Sequence, residues 1–487
     1  MAEQSTTSVN PLDWARQYLS GDEYQALLES LDSPLDTSIR INTLKWDASE
    51  AEKKLSERYG WELETVPFCP SGFWVKEYKL SPSAAIEHRL GYFYIQEAAS
   101  MLPAELFDLN GIDSPLILDI AASPGGKTTH LAALAGGRGL IIANDGSRSR
   151  IPALQIVLRN WGAINQCVTC LPGESFGDLF PDTFDAVLLD APCSMQGLRA
   201  AESHASRPIT LTEIDSLAAR QTRLLESALR AAKPGGQVVY STCTLSPQED
   251  ELVLAAIIEK FGDSIRVEGV SGRLPAPSPA LTRIGDRRLP AQINNALRLW
   301  PHRFGTAGFF AARLTRLGEL PETKEGEWRR RTSTSAYTQI PEQQSRIIAE
   351  NLQEHFGFDM ETIIEKGRLV ISGQKNKVFL IPKKLISQFR DLHFLSAGME
   401  LGKSVRDDFI PSHEFVSHFG DQFSKGTLIL EERYLESWSR GEDIRGFKTN
   451  EFNTGEILAV RDGSGRNLGR GKLLADRLKN MLPTRLF

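Results

Sequence analysis

The chain has 487 residues, of which 41% are hydrophobic and 24% charged, and its formal net charge is −6. This length predicts three or four domains, and the apolar content suffices for their cores. Its five cysteines lack paired spacing, which argues against a disulfide framework and indicates a reducing compartment. Residues 1–11 are unlike a signal peptide and no run of about 18 apolar residues occurs, so we expect a cytoplasmic protein without a membrane partner.

Residues 1–112 predict a small α+β domain. Apolar residues at helical spacing indicate an interrupted helix over 12–31, and residues 38–44 alternate like a strand. We expect a helix over 95–107 that leads into the next unit. Four aromatic residues of this region are expected to form its core rather than a base-stacking surface: Trp61, Phe68, Phe73 and Trp74.

Residues 113–318 contain apolar strands that alternate with helices. Five apolar runs are typical of parallel strands buried on both faces: 116–119, 140–145, 168–170, 184–190 and 237–240. We predict helices at 148–161 and 211–233, and a last strand at 308–314. The predicted class is doubly wound α/β with a mainly parallel sheet.

The C-terminal third has a different pattern. A charged stretch rich in Ser and Thr predicts a linker over 319–337. Antiparallel hairpins are predicted beyond it, for example 369–371 with 378–381 and 457–460 with 467–469. We expect two small domains, with bounds 330–425 and 426–487.

Residues 463–487 are basic in an acidic chain. They contain one acid, Asp476, and six basic side chains: Arg466, Arg470, Lys472, Arg477, Lys479 and Arg485. This excess of positive charge predicts a surface that contacts phosphates, with a solvated basic tail as the alternative.

A glycine-rich turn follows the first strand of the parallel sheet. It consists of Ala121, Ala122, Ser123, Pro124, Gly125, Gly126 and Lys127. Glycines in such a turn let a ligand approach the backbone at a helix N-terminus. The segment nearly matches a P-loop, so a nucleotide triphosphatase is one alternative. Asp119, and Asp145 at the end of the next strand, instead favour a ribose diol without a triphosphate, as in S-adenosylmethionine.

Two cysteines follow the ends of two strands: Cys193 comes after Asp190-Ala191-Pro192, and Cys243 after Ser241-Thr242. One such cysteine is most often a small core residue, but two at the carboxyl edge of one parallel sheet indicate chemistry. Thiolate addition to C6 of cytosine would make C5 nucleophilic toward a methyl donor, after which a base removes the C5 proton. Asp190 could protonate or hydrogen-bond the N3 and N4 edge of the ring.

The chain resembles the RNA cytosine-C5 methyltransferases of the Nop/Sun type over nearly its whole length. The matching segments are 40–45, 94–98, 121–129, 190–194, 241–244, 298–302 and 308–310. The resemblance implies a Rossmann-like class I methyltransferase core that uses S-adenosylmethionine, flanked by an N-terminal RNA-binding domain and a C-terminal PUA-like domain. It also implies RNA as the partner, with 16S rRNA in the small ribosomal subunit favoured over tRNA. A catalytically weak assembly factor on the same fold is the remaining alternative.

Residue roles carry over from this resemblance. It implies that Cys243 is the nucleophile, that Cys193 assists product release, and that Asp190 and Lys127 complete the catalytic set. It places the cofactor on the turn from Ala121 to Lys127, with Asp145 at the ribose and Asp190 near the methyl donor. A monomer without a metal is expected, and the single pair Cys167 and Cys170 is expected to serve core packing.

Three departures from the family pattern are visible. Met195 and Gln196 stand where the family usually has Gly and Glu, directly after Cys193-Ser194. Pro172 or Gly173 replaces an aspartate expected to contact adenine, and Ser123 replaces an alanine. The first two could relax substrate choice or weaken methylation.

Overall fold

The computed structural model describes residues 12–198, 209–321, 338–364, 368–372, 376–389, 391–405 and 408–483. Most of the predicted linker and the last basic residue, Arg485, lie outside these ranges. Within them, no helix combines the length and apolarity that crossing a bilayer requires.

The N-terminal region forms a four-stranded antiparallel sheet with strand order β2-β3-β1-β4. Its elements are α1 (Gly21–Asp32), β1 (Ser38–Ile41), α2 (Ala48–Tyr59), β2 (Glu62–Thr65), β3 (Gly72–Glu77), α3 (Ile86–Arg89), β4 (Phe93–Ile95) and α4 (Leu102–Glu105). Helix α1 begins at a capping box, in which the side chains of Ser20 and Glu23 each accept a hydrogen bond from the other's backbone N–H. All four predicted core aromatics are buried.

The helix predicted over 95–107 is wrong at its start. Ile95 ends β4, where it pairs with Ile39 of β1. Helical geometry begins only at Ala98, after Glu97, whose carboxylate accepts a hydrogen bond from the N–H of Ser100. Residues 93–95 therefore form a strand by pairing with the free edge of β1, although the apolar spacing of this segment also suits a helix.

The central region forms a nine-stranded sheet, with order β10-β14-β9-β8-β5-β6-β7-β18 and β13 added on β14. Its elements up to β14 are β5 (Leu116–Asp119), α5 (Gly126–Leu134), β6 (Leu140–Asn144), α6 (Ile151–Trp161), β7 (Gln166–Thr169), α7 (Phe176–Leu179), β8 (Phe184–Asp190), α8 (Leu211–Ala231), β9 (Ala232–Thr242), α9 (Glu251–Phe261), β10 (Ile265–Val267), β11 (Arg283–Ile284), β12 (Arg287–Arg288), β13 (Leu297–Leu299), α10 (Pro301–Phe304) and β14 (Phe309–Arg316). Strands β5 to β9 are parallel, and the others in the sheet pair antiparallel. The mainly parallel sheet is thus confirmed.

Alternate residues of the parallel strands enter different cores. Leu118 and Ile142 pack in the cluster on one face, whereas Ile117 and Ile141 pack in the cluster on the other. Each buried aliphatic side chain contributes about 1.5–3 kcal/mol through removal from water. Burial on both faces explains why these strands are continuous apolar runs without alternation.

The C-terminal region contains two five-stranded sheets, with orders β15-β16-β17-β19-β20 and β21-β23-β24-β25-β22. The elements are β15 (Thr338–Gln339), α11 (Glu342–Phe356), α12 (Glu361–Ile364), β16 (Arg368–Ser372), β17 (Lys377–Pro382), α13 (Lys383–Gln388), β18 (Ser396–Ala397), β19 (Met399–Val405), β20 (Asp408–Pro411), α14 (His413–Phe419), β21 (Thr427–Leu430), α15 (Leu435–Ser439), β22 (Ile444–Arg445), β23 (Ile457–Asp462), β24 (Asn467–Leu474) and β25 (Arg477–Asn480). Both predicted hairpins are confirmed, as β16-β17 and β23-β24. The short strand β18 leaves this region to pair with β7 of the central sheet.

Candidate active site

The glycine-rich turn connects β5 to α5 and borders a cavity of about 220 Å³. Most of the predicted cofactor residues line this cavity: Ala121, Ala122, Ser123, Pro124, Gly126, Lys127 and Asp190. Gly125 does not line it but shapes the turn, with φ +117° at the N-cap of α5. A Cβ atom on Gly126 would lie 2.9 Å from the ring of Tyr94, so only glycine leaves the backbone accessible there.

A larger cavity, of about 550 Å³, lies between the N-terminal region and the last sheet, against Arg58, Ile86, Ile429 and Leu435. We place the site at the smaller cavity because the glycine turn, the paired charges and the strand ends that precede both cysteines meet there. Carboxyl ends of parallel strands are where ligands bind in open α/β sheets.

Arg40 of the N-terminal region supports the turn from below, and sequence reasoning missed this role. Its guanidinium Nη2 donates to the carbonyl of Gly126 at 2.9 Å and to Oγ1 of Thr129 at 2.7 Å. Its Nε donates to Gln96 Oε1 at 3.0 Å, and the group lies 4.5 Å from the ring centre of Trp161. The only available signal was that Arg40 begins one of the segments that carry the family resemblance.

Asp119 ends β5 inside the cavity wall. Its Oδ2 accepts a hydrogen bond of 2.6 Å from Thr128 Oγ1, whereas its buried Oδ1 has no partner. Burial, together with the charge of Asp190, raises the pKa of Asp119 to about 7. An acceptor oxygen left without a donor suits a ligand that brings one.

Asp145 does not line the cavity. Its Oδ2 accepts from the N–H of Ser123 at 3.2 Å and lies 3.3 Å from Arg150 Nη1, while its Oδ1 accepts from the N–H of Ser147 at 2.8 Å. Oδ1 thus shapes the turn between β6 and α6, whereas Oδ2 connects this turn to the glycine-rich turn. The predicted contact with a ribose stays a prediction.

The two cysteines meet as the sequence predicts. Strands β8 and β9 are parallel neighbours in which Asp190 pairs with Ser241, so the residues that follow them emerge at one edge. The Sγ atoms of Cys193 and Cys243 are 3.3 Å apart. The hydrogen bond with Cys243, burial, and the charges of Cys243 and Glu249 raise the pKa of Cys193 well above its ordinary value. Cys193 is therefore a thiol at neutral pH.

Lys127 and Asp190 form an ion pair between the glycine turn and the end of β8. Lys127 Nζ lies 2.8 Å from Asp190 Oδ2, and Ser241 Oγ donates to Asp190 Oδ1 at 2.8 Å. Burial opposes the charge of Lys127, but the charge and hydrogen bond of Asp190 raise the pKa of Lys127 above its ordinary value. Lys127 and Asp190 line the cavity, and the charge of Cys243 also acts on Lys127, so the ion pair and the two thiols lie near one another.

The loop after Cys193 carries both unusual residues noted in the sequence. Met195 has φ +56°, a left-handed conformation that glycine adopts at lower cost. The amide of Gln196 is buried, and neither its nitrogen nor its oxygen has a hydrogen-bond partner. At the departure that involves Pro172 or Gly173, a Cβ on Gly173 would lie 2.6 Å from Leu224 and 2.7 Å from Ile120, so that position admits no side chain.

Glu249 lies behind both cysteine loops, and sequence reasoning missed it as well. The residue is fully buried. Its Oε2 accepts from the N–H of Ser194 at 2.9 Å, and its Oε1 accepts a short hydrogen bond from Ser194 Oγ. Gln221 Nε2 donates to Oε2 of the same carboxylate at 2.9 Å.

Three side chains outside the cavity have the types that bind metals; two are buried and Glu105 is half-buried. The ligand atoms of Cys69, Glu105 and His130 lie within 4.8 Å of one another, with His130 Nε2 2.9 Å from Glu105 Oε1. Burial and the charge of Arg40 lower the pKa of His130 to about 4, so the imidazole is neutral at neutral pH. The cluster can be held by its own hydrogen bonds, and the expectation of no metal stays a prediction.

The basic segment at the C-terminus is only partly available to phosphates, which corrects the sequence prediction. Arg466 pairs with Glu87 at 2.5 Å and with Asp462 at 2.9 Å. Arg470 donates to the carbonyl of Pro411. Arg477 lies 3.0 Å from Asp443. Three of the five cations that lie within the described ranges thus have partners inside the fold.

Comparisons with known proteins agree with this site. A family model described as 16S rRNA methyltransferase RsmB/F matches residues 107–315, and one described as the N-terminal domain of 16S rRNA methyltransferase RsmF matches residues 13–98. Ribosomal RNA small subunit methyltransferase F of Aeromonas salmonicida is 34% identical over 96% of this chain and 94% of that protein. The chain belongs to the 16S rRNA methyltransferase RsmB/F family.

Further relatives support membership of the RsmB/F family. Ribosomal RNA small subunit methyltransferase F of Erwinia tasmaniensis is 33% identical over 96% of this chain and 93% of its own. The crystal structure of a methyltransferase homolog protein from Pyrococcus horikoshii is 32% identical, with TM-score 0.55, over 62% of this chain and 93% of that one. NSun6 from the same organism, solved with SFG, shares the fold, with TM-score 0.52 and 23% identity over 63% of this chain and 97% of that one.

Membership of the RsmB/F family confirms the predicted enzyme class, a methyltransferase that uses S-adenosylmethionine and acts on RNA. It also confirms the class I methyltransferase core, to which the mixed sheet conforms. The near-match to a P-loop is a feature of this turn and gives no support to a nucleotide triphosphatase.

Proposed function

We propose that this chain methylates C5 of a cytosine in 16S rRNA through a covalent bond between Cys243 and C6 of the base. The observation that carries the proposal is the meeting of two thiols, 3.3 Å apart, beside the ion pair of Lys127 and Asp190 at the cofactor cavity. Names of the relatives, which specify small-subunit ribosomal RNA, support the substrate class.

The residues around the glycine turn fit S-adenosylmethionine. Gly126 leaves the backbone open, and the nine-residue helix α5 directs its N-terminal amides toward the turn. Asp119 offers an acceptor without a donor. When bound, the cofactor supplies a methyl group on a positively charged sulfur. Residues 121–127, Asp145 and Asp190 would hold it.

The attack step uses Cys243. Its thiolate forms a bond to C6, and the electron pair of the C5=C6 double bond moves into the ring and makes C5 nucleophilic. Asp190, oriented by Lys127 and Ser241, accepts a hydrogen bond from the N4 amino group. The ammonium of Lys127 offsets negative charge that develops on the ring, and this effect is large in a site shielded from water.

The release step uses Cys193. After C5 has gained the methyl group, its proton passes to the sulfur of Cys193, which has first given its own proton to solvent water. The C5–H electron pair restores the double bond, and the C6–S pair returns to Cys243. One proton leaves per methyl group transferred, and both cysteines return to their starting states.

We propose that the flanking regions hold the RNA, with bounds near 1–112 for the N-terminal domain and near 330–425 and 426–487 for the C-terminal ones. The five-stranded sheet of β21 to β25 supports a PUA-like assignment for the last domain. Because the target base must leave its stack to reach the cavity, we expect a splayed nucleotide. A monomer acting in the cytoplasm on the small subunit, rather than on tRNA, completes the proposal.

The test is methyl transfer from labelled S-adenosylmethionine to small ribosomal subunits that lack 5-methylcytosine, with tRNA in a parallel reaction. Wild type, Cys243→Ala, Cys193→Ala and the control Cys170→Ala are compared, and denaturing gels detect protein linked to RNA. We expect transfer by wild type and Cys170→Ala, none by Cys243→Ala, and an accumulating adduct with Cys193→Ala.

Other outcomes would redirect the proposal. Transfer to tRNA alone would replace the substrate. RNA binding without transfer to either substrate would favour an assembly factor, with Met195 and Gln196 as the suspected causes of lost activity. Full transfer by Cys243→Ala would overturn the covalent mechanism.

A further inference from the structure

A buried carboxylate holds the peptide on both sides of Cys193. Glu249 accepts two hydrogen bonds from Ser194, one from the backbone N–H at 2.9 Å and one from the hydroxyl. Gln221 donates from the same Nε2 to Glu249 at 2.9 Å and to the carbonyl of Pro192 at 2.9 Å. The residues before and after Cys193 are thereby fixed from one anchor.

The same anchor reaches the loop of Cys243. Ser194 Oγ lies 2.9 Å from Thr244 Oγ1, which follows Cys243 in the chain. The phenol of Tyr240, on β9, donates to the backbone carbonyl of Glu249 at 2.5 Å. Glu249 thus connects the two loops that carry the thiols, although it contacts neither sulfur directly.

We propose that Glu249 is a positioning residue that sets Cys193 for the release step, and that it acts through Ser194 and Gln221. The inference rests on the proposed two-cysteine function. Its basis is geometric: one side chain fixes the neighbours of Cys193 on both sides, while the residue before Cys243, Thr242, is held in the sheet by its pairing with Phe310 of β14. Loss of Glu249 should therefore affect release more than attack.

The charge of Glu249 also affects the pKa of Cys193. Together with the hydrogen bond and charge of Cys243 and with burial, it raises the pKa of Cys193. Once Cys243 is bonded to C6, its share of this effect disappears and Cys193 loses its proton more easily. Glu249 remains, so the thiolate of Cys193 stays a strong base for the C5 proton.

The experiment compares Glu249→Gln with wild type and Cys193→Ala on small subunits that lack 5-methylcytosine. Adduct formation and release are measured separately, by quenching on denaturing gels and by product appearance. We expect adduct formation within about threefold of wild type and release slowed by at least about tenfold, so that adduct accumulates. The rate of release should also reach its plateau at lower pH, because Cys193 has lost a nearby negative charge.

Two further variants separate positioning from general damage. Glu249→Asp should recover part of the release rate. Asp185→Asn removes another buried acid, at the opposite end of β8, where it accepts from the N–H of Leu116 and pairs with Lys233. We expect no change in the balance of adduct and product for this control. Should Glu249→Gln fail to fold, Ser194→Ala tests the same path and should also accumulate adduct.

The possible failures are distinguishable. If Cys193→Ala accumulates adduct and the folded Glu249→Gln slows formation and release equally, the role of Glu249 is wrong and the proposed function stands. An unchanged pH profile together with wild-type release would also reject that role. If neither wild type nor Cys193→Ala ever forms an adduct, the covalent mechanism fails and the role of Glu249 fails with it.

Discussion

Two fully buried guanidinium groups support the two halves of the site, but among the residues that the structure describes carboxylates pair with only one of them. Behind the cysteine loops, Arg298 makes a bidentate contact with Glu251, at 2.6 and 3.1 Å, and lies 3.1 Å from Asp250. Under the cofactor turn, Arg40 forms no ion pair within the described ranges and donates only to neutral groups. Arg298 thus anchors its side of the site by charge, whereas Arg40 supports the cofactor turn by hydrogen bonds to neutral groups.

The pKa values of the two arginines reflect this difference in ion pairing. Burial alone lowers the pKa of an arginine, and it lowers that of Arg40 to about 10. For Arg298 the charges of Glu251 and Asp250 outweigh burial and raise the pKa. Burial, and after it the charges of Glu251 and Glu249, raise the pKa of Asp250 well above its usual range, although the charge of Arg298 opposes this. We assign the ion pair at neutral pH to Arg298 and Glu251, whose contact is bidentate.

This difference in charge pairing allows the two halves of the site to differ in rigidity. The loops that carry the two cysteines must keep both sulfur atoms at fixed positions relative to the base. An ionic contact in an interior without water holds such a fixed geometry. A cofactor turn must admit and release a ligand in every cycle. Neutral hydrogen bonds under the turn allow it to move at lower cost.

Arg298→Met should have the largest effect on stability. It leaves Glu251 and Asp250 buried without a cation, and breaking a buried pair in this way costs about 3–5 kcal/mol of unfolding free energy. Urea unfolding at neutral pH measures the loss. The double variant Arg298→Met with Glu251→Met should recover most of it. A loss below about 1 kcal/mol would show that the acids are already neutral.

Asp119→Asn should change how the stability of the cofactor half depends on pH. Burial raises the folded-state pKa of Asp119 to about 7, above its unfolded value. Its stabilising effect is therefore complete below the unfolded pKa and is lost as pH rises toward 7. Between pH 5 and 7 wild type should lose about 2 kcal/mol more than Asp119→Asn, since each pH unit contributes up to about 1.4 kcal/mol. Parallel pH curves for the two ligand-free proteins would contradict this.

Much of the architecture could be predicted because its signals are local in the chain. Runs such as 184–190 are apolar throughout, as strands buried on both faces must be, and Cys193 and Cys243 each follow the end of such a strand. Parallel neighbours then bring the two thiols together without further information. The strand at 93–95 was missed because pairing with β1 overrides helical spacing.

The supporting contacts could not be predicted because they join residues far apart in the chain. Arg40 and Gly126 are 86 positions apart, and Glu249 and Ser194 are 55 apart. Arg466 was expected to face phosphates, yet its partner Glu87 lies 379 positions away. A sequence shows which cations exist, but the fold decides which of them are already neutralised.

Arg40→Met should cost less unfolding free energy than Arg298→Met, because Arg40 donates only to neutral groups. The variant leaves the acceptors at Gly126 and Thr129 without their donor, but it also removes a charge whose burial was unfavourable. The net loss should be about 1–2 kcal/mol in urea unfolding. Calorimetry should show weaker binding of S-adenosylhomocysteine, because the carbonyl of Gly126 is no longer held.

As a control, Arg461→Met removes a guanidinium that donates to the carbonyls of Gly420 and Phe423, and it should leave the affinity for S-adenosylhomocysteine unchanged. Equal costs for Arg40→Met and Arg298→Met would mean that charge pairing does not distinguish the two halves of the site.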